Sequence, residues 1–409
     1  MTHYSGLRGC CRATQAAGRA AAIALGVSIP LSVALDNLLL AVVLLAWLLG
    51  GGWRDKFVLA MGNRVYRAAW LLFAVLLLGT LYGKPAPGEA ALSLKKYLDL
   101  ALIPVLGFTF LEARTRMRGL QALAGGLALV LLTSCALKAG WLPVPTWLNG
   151  TAASPVVFKL RLTHNILMAF AAFLYVWLAW SAATTQGKIL WGALALLAVA
   201  NVTLMVDGAT GYAVLTVLAL LFGWQRARWR GVAAVLLFAA AVVATLSVAP
   251  GPFRERVQNI LSEARQARPD RPASTSTGYR LEFYRNTLTL VRNHPLVGTG
   301  TGSFSASYAD LVRGSGQIAT DNPHNEFLLI TVQTGLVGLA ALLWLLWQQW
   351  RLAPQLPTPL ERGLAQGLVV MMITVCLFNS ALLDHTEGLL YAWLTALLYA
   401  GLKSDLSNR

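Results

Sequence analysis

Charge is scarce in this chain: 12% of its 409 residues are Asp, Glu, Lys or Arg, and 57% are hydrophobic. Soluble domains carry about 25% charged residues. So few charges cannot coat a soluble body of this length, which excludes an ordinary cytosolic enzyme, a disordered chain and a nucleic-acid-binding domain. Cysteine is also rare. Of four, Cys10 and Cys11 adjoin near the start, and Cys135 and Cys376 lie inside apolar runs. None has CxxC spacing, so neither a disulfide framework nor a thiolate metal or redox site is expected. The chain also lacks GxxxxGK followed by Ser or Thr, HExxH, GxSxG and any DxD pair, which removes the common phosphate-loop, zinc-protease, serine-hydrolase and divalent-metal signatures. No metal and no cofactor is expected. What these absences leave is an all-α polytopic membrane protein.

Apolar runs are what the chain has instead. A bilayer-crossing helix needs roughly 20 apolar residues. Candidate spans lie near 16–33, 35–52, 66–83, 92–111, 119–138, 164–182, 189–206, 210–224, 231–249, 325–348, 362–383 and 387–402. The pattern therefore predicts about twelve transmembrane helices, with no solenoid period. The first run lacks an A-x-A cleavage site and reads as a retained helix.

The chain's formal charge is +16. With the N-terminus inside, the inner connections carry +14 of it and leave +2 for everything else. The positive-inside rule selects that orientation. Residues 250–324 break the pattern: this outer stretch is polar, with nine Arg and six acidic residues. Connections of such length tend to be functional. The predicted organisation is nine spans in 1–249, a periplasmic helical loop domain in 250–324, and three spans in 325–409. Within the loop, Ser276–His294 reads as a helix with Leu281, Tyr284, Leu288 and Val291 as its apolar stripe, lying at the membrane interface.

The chemistry is expected at this outer face, where there is no ATP and a substrate must arrive activated. His324 lies in Asp321-Asn322-Pro323-His324-Asn325-Glu326-Phe327, just before the tenth span. Asn322 as cap and Pro323 at the first helical position would put His324 in the first turn. A helix N-terminus disfavours positive charge there, which suits a general base; a plain interfacial histidine is the competing reading. Arg280 borders the loop helix, and Arg161 opens the sixth span beside Lys159. Lipid-headgroup contact explains such residues, and so does a clamp on pyrophosphate, for which a guanidinium offers bidentate geometry. Lys159, Asn325, Arg285 and Arg256 are the candidate substrate contacts. Gly298-Thr299-Gly300-Thr301-Gly302 reads either as a plain turn or as an anion-contacting loop. His164, His294 and His385 read as structural.

Two stretches carry a family likeness: Tyr279-Arg280 through His294-Pro295-Leu296-Val297-Gly298-Thr299-Gly300, and Pro323-His324-Asn325-Glu326-Phe327 on to Thr334-Gly335-Leu336-Val337-Gly338. With the long outer loop between late spans, the chain resembles the O-antigen ligase and polymerase superfamily, on its ligase side. The resemblance implies a bacterial inner-membrane enzyme of the C-type glycosyltransferase fold with its active site facing the periplasm. It implies inverting, metal-independent transfer of O-antigen from undecaprenyl pyrophosphate onto lipid A–core in lipopolysaccharide biosynthesis. The family's histidine maps to His324 and its loop arginine to Arg280. The arginine ahead of a middle span maps to Arg161, across a loose match at Leu162-Thr163-His164-Asn165. The alternatives are an O-antigen polymerase or a protein O-glycosyltransferase of the same superfamily, and, from another class, a transporter of lipid-linked sugars. A transporter should place ionisable groups near the bilayer midplane; here, apart from Lys95, Lys96 and Asp99, the spans are nearly free of charge.

Overall fold

The computed structural model describes residues 2–83, 85–142, 150–248, 258, 262 and 276–402. The described residues fold entirely as helices and loops, with no strand among them. In chain order the helices are α1 (Thr2–Ser28), α2 (Val33–Leu49), α3 (Trp53–Gly62), α4 (Arg64–Gly79), α5 (Glu89–Lys96), α6 (Leu98–Thr109), α7 (Ala113–Lys138) and α8 (Arg161–Ser181). They continue with α9 (Thr185–Ala200), α10 (Ala209–Val248), α11 (Ser276–Asn293), α12 (Phe304–Val312), α13 (Glu326–Leu352), α14 (Pro359–Phe378) and α15 (His385–Tyr399). Helix occupies each of the twelve predicted runs. Five helices are long and apolar enough to cross a membrane, or six if α2 and α3, bent by 115°, count as one broken span. The predicted fourth span is interrupted at Tyr97, between α5 and α6. In α10, Ala227 and Arg228 leave helical geometry and separate the eighth predicted run from the ninth.

The helices bury one large core to which α1, α4, α6–α8 and α13–α15 all contribute. Their ends sort into two sets. At one end Arg116 pairs with Glu361 at 2.7 Å and also donates to Leu111 O, while Asn63 donates to Tyr399 O. At the other end Ser28 donates to Asp36, Lys159 Nζ lies 4.0 Å from Asp36, and Thr301 N donates to Gly79 O. The second set contains the connections expected on the outer face.

Helix α13 is broken at Gly335, whose φ of +66° is open to glycine at little cost. The break frees backbone groups that the segment 295–300 satisfies: Thr299 N to Val332 O and Gly300 N to Gln333 O, both 2.8 Å, and Leu336 N to Pro295 O, 2.8 Å. Irregular backbone at membrane depth is tolerated only where protein pairs it in this way. A Cβ at Gly335 would stand 2.1 Å from Leu296 O, so the close approach needs glycine for a second reason.

Candidate active site

The chain enters α13 through a tight polar turn. Asn322 Oδ1 accepts the backbone N–H of His324 at 2.7 Å, and His324 adopts a left-handed backbone with φ +55°. Asn325 then caps the helix, its Oδ1 accepting Leu328 N at 3.0 Å while its Nδ2 donates to Leu377 O at 3.1 Å. The expected cap at Asn322 is therefore displaced by three residues, and His324 stands before the helix instead of in its first turn. Two asparagines compete to cap this end. The side chain of Asn322 is taken by its own turn, which leaves Asn325 adjoining the first helical residue. Glu326, the first residue of the helix, is fully buried and accepts from Tyr97 Oη and Leu382 N, both at 2.9 Å. Left-handed backbone at a residue other than glycine costs on the order of 1 kcal/mol and gathers at functional sites.

The imidazole of His324 is held on two sides. Phe283 of α11 stacks on it. Nδ1 lies 3.4 Å from Asn379 Oδ1, and Asn379 Nδ2 donates to Asp384 Oδ2 at 2.6 Å. A carboxylate only accepts, so Asp384 fixes which way the amide points. Asn379 then presents its oxygen to His324, which puts the ring proton on Nδ1 and leaves Nε2 with a free lone pair. Burial pushes the Asp384 carboxyl above its ordinary range, opposed by Asn379, Lys96 and His324. Ser380 Oγ donates to Asn322 Oδ1 at 2.8 Å and ties the same α14–α15 connection to the turn. Sequence reasoning missed Asn379, Asp384, Phe283 and Tyr284 as parts of this site. The one available signal was the polar stretch Asn379-Ser380 to Asp384 between two apolar runs.

Helix α11 brings the loop arginine near. The face of α11 that packs inward carries Phe283, Thr287 and Leu290, whereas Leu281 and Leu288 of the expected stripe are exposed. Phe304, Tyr308 and Val312 of α12 and Leu329 and Val332 of α13 take up the packing, so tertiary contacts choose the face. Arg280 is half-buried and lies one turn before Phe283 and Tyr284, on the side that meets His324. Tyr284 Oη is 3.1 Å from His324 O and 2.9 Å from Leu377 O, and its single hydrogen serves one or the other. Arg285 is exposed, two residues from Phe283 and roughly 200° around the helix from it. Arg256 lies outside the described residues.

Arg161 is the first residue of α8 and is exposed, with no hydrogen-bond or ion-pair partner among the described residues. Arg280 likewise has none, and its charge acts on the nearby Tyr284 hydroxyl. Lys159, by contrast, is buried beside Asp36, whose Oδ2 also lies 3.4 Å from His385 Nε2. Burial lowers the Lys159 ammonium, and Asp36 and Glu387 oppose the shift. Asp36 thus joins the residues just ahead of α8 to the start of α15, at the same end of the bundle as His324. His164 turns inward instead, its Nε2 3.0 Å from Asn201 Oδ1 within the core.

The glycine-rich segment is neither a free turn nor an anion cradle. Besides the bonds to α13, Thr301 N donates to Gly79 O at 2.9 Å and Gly302 N to Gln333 Oε1 at 2.8 Å. Four consecutive N–H groups are thus spent on protein acceptors. A Cβ at Gly300 would approach Gly83 Cα to 2.2 Å, so this glycine serves helix-to-loop packing.

Helical spans around one core define a multi-pass helical membrane protein, with a polar, arginine-flanked histidine at one end of the bundle. Residues 193–343, from within α9 to two-thirds of the way along α13, match the sequence model of the O-antigen ligase family. The match includes Arg280 and His324 and stops short of Arg161, Asn379 and Asp384 on either side. No curated protein matches the chain.

Proposed function

We propose that the protein is an inverting, metal-independent glycosyltransferase that ligates O-antigen from undecaprenyl pyrophosphate onto lipid A–core at the periplasmic face of the bacterial inner membrane. The observation that carries this reading is the arrangement about His324: Nδ1 is turned to Asn379, Nε2 is free, and Arg280 is one helical turn from the residues that hold the ring.

A sugar hydroxyl is a weak nucleophile. His324 Nε2 takes its proton as the oxygen attacks the anomeric carbon from the face opposite the leaving group. The bond to the pyrophosphate oxygen breaks with its electron pair, and undecaprenyl pyrophosphate departs with the added charge. Arg280 and Arg161, both without carboxylate partners among the described residues, meet that charge, and bidentate guanidinium contacts stabilise it most in the transition state. Base assistance contributes about 10²–10⁴ in rate. Lys159 acts in this scheme by holding the start of α8 through Asp36, and Asn325 by seating His324, while Arg285 and Arg256 meet the anionic glycolipid.

Purified protein supplied with lipid-linked donor and lipid A–core, followed by gel shift, tests the proposal. Wild-type protein should give ligated product, and His324→Ala should lose most of it while still binding donor. Full product from His324→Ala overturns the assignment of the base. Glycan extension without lipid A–core overturns ligation in favour of polymerisation.

A further inference from the structure

A second polar site lies at the opposite end of the bundle. Between the start of α4 and the end of α13 is a cavity of about 520 Å³, lined by Arg64, Arg67, Arg351 and Gln348 with Leu71 and Trp344 on its outer side. From His324, ahead of α13, to Arg351 in its last turn is roughly 40 Å at 1.5 Å per residue over 27 helical residues. The two sites are therefore separate.

Three features describe its occupant. First, three guanidinium groups share one cavity, and among the described residues neither Arg67 nor Arg351 has a carboxylate within ion-pair distance. Arg64 and Arg67 sit in the first turn of α4, where the helix dipole already makes the potential positive. Such a site draws an anion. Second, Gln348 is 5% exposed, and its Oε1 is buried with no hydrogen-bond partner. A buried acceptor without a donor is costly, so an occupant that offers a hydrogen-bond donor beside its negative charge suits the site. Third, the rim is apolar and exposed. Leu71, Trp344 and Trp347 are 50%, 46% and 43% exposed, and tryptophan favours the level of the lipid headgroups. Arg351 stacks over Trp347 at 4.9 Å, which keeps a cation at that level.

We propose that this cavity binds the headgroup of an anionic phospholipid of the phosphoglycerol class, from the leaflet opposite the candidate active site. The phosphodiester lies among the three arginines, a headgroup hydroxyl donates to Gln348 Oε1, and an acyl chain runs along Leu71 and Trp344. Basic pockets between helices at the membrane surface bind anionic headgroups on this principle.

The test uses the full-length protein purified in a mild detergent, titrated with phosphatidylglycerol, phosphatidylcholine or inorganic phosphate, and read by native mass spectrometry and thermal unfolding. Phosphatidylglycerol should bind and raise Tm, and the other two should do neither. Each of Arg67→Ala and Arg351→Ala should weaken binding by about tenfold, as loss of one charge-assisted contact does. Both side chains are exposed, so these variants keep the fold in phosphatidylcholine. Arg114→Ala with Arg118→Ala removes two exposed charges elsewhere at this end and should leave binding unchanged. Equal binding of phosphatidylcholine, an equal Tm rise with inorganic phosphate, or equal loss in the Arg114/Arg118 control overturns the site.

Discussion

The imidazole of His324 lies over the phenyl ring of Phe283, with centroids 6.2 Å apart and planes 27° from parallel. That contact joins the loop helix α11 to the turn before α13, and it sets Arg280 one helical turn from the ring that the histidine stacks on. Asn379 completes the clamp from the α14–α15 connection.

The Asn379 amide is expected to set the tautomer of His324. Asn379→Leu keeps the volume and removes the acceptor, so transfer should fall by roughly fivefold or more, as one lost hydrogen bond implies. Expression and donor binding should stay normal. Unchanged turnover in the purified variant would falsify the clamp.

Asp384 is expected to give stability a pH slope. Its carboxyl is raised in the folded protein by burial, so the folded state holds this proton more tightly than the unfolded chain. Its contribution is fully present below the ordinary carboxylate range and is lost as pH rises through the raised value. Asp384→Asn should flatten that part of the Tm-against-pH curve in detergent and lower transfer at neutral pH, because an amide at 384 can donate as well as accept and no longer fixes which way Asn379 points. A curve that keeps the same slope in the variant rules the linkage out.

Arg280→Lys and Arg161→Lys each keep a charge and lose the planar fork. Each should cut transfer by about 10²–10³, the usual loss when one stabilising donor is removed from a transition state. Near-normal ligation in both would return these residues to lipid anchoring.

Gly335→Ala is expected to destabilise the fold without touching the chemistry directly. The backbone there (φ +66°, ψ −162°) is one that essentially only glycine adopts and costs an alanine about 1–3 kcal/mol, and its Cβ would collide with Leu296 O. Together they should cost at least about 2 kcal/mol, seen as a lower Tm and faster proteolysis between 295 and 302. A Tm equal to that of wild type would show that the break in α13 can relax.

Membrane orientation can be read with reporters. A periplasm-active fusion after Gly314 should be active and one after Arg228 inactive, since Arg226, Arg228 and Arg230 lie in an inner connection by the charge rule. The reverse pattern would put His324 in the cytoplasm and end the proposed chemistry.

Much of the architecture was legible in the residues because hydropathy is local. A run of apolar residues must satisfy its backbone within itself, so all twelve predicted runs are helical, and α11 ends at Asn293, one residue from the expected boundary. His324 and Arg280 stood out for the same reason, as charged or titratable groups beside apolar runs. What the tertiary structure alone decided depends on residues far apart in the chain. Asn379 is 55 positions from His324, and Tyr97 is 229 from Glu326. The choice of Asn325 over Asn322 as cap was settled by such partners, since Leu377 O takes the Asn325 amide while Ser380 and the His324 N–H occupy Asn322. The glycine-rich segment was ambiguous for the same physical reason: its N–H groups could face an anion or protein carbonyls, and only the break at Gly335, which frees the carbonyls of Val332 and Gln333, determined that they face protein.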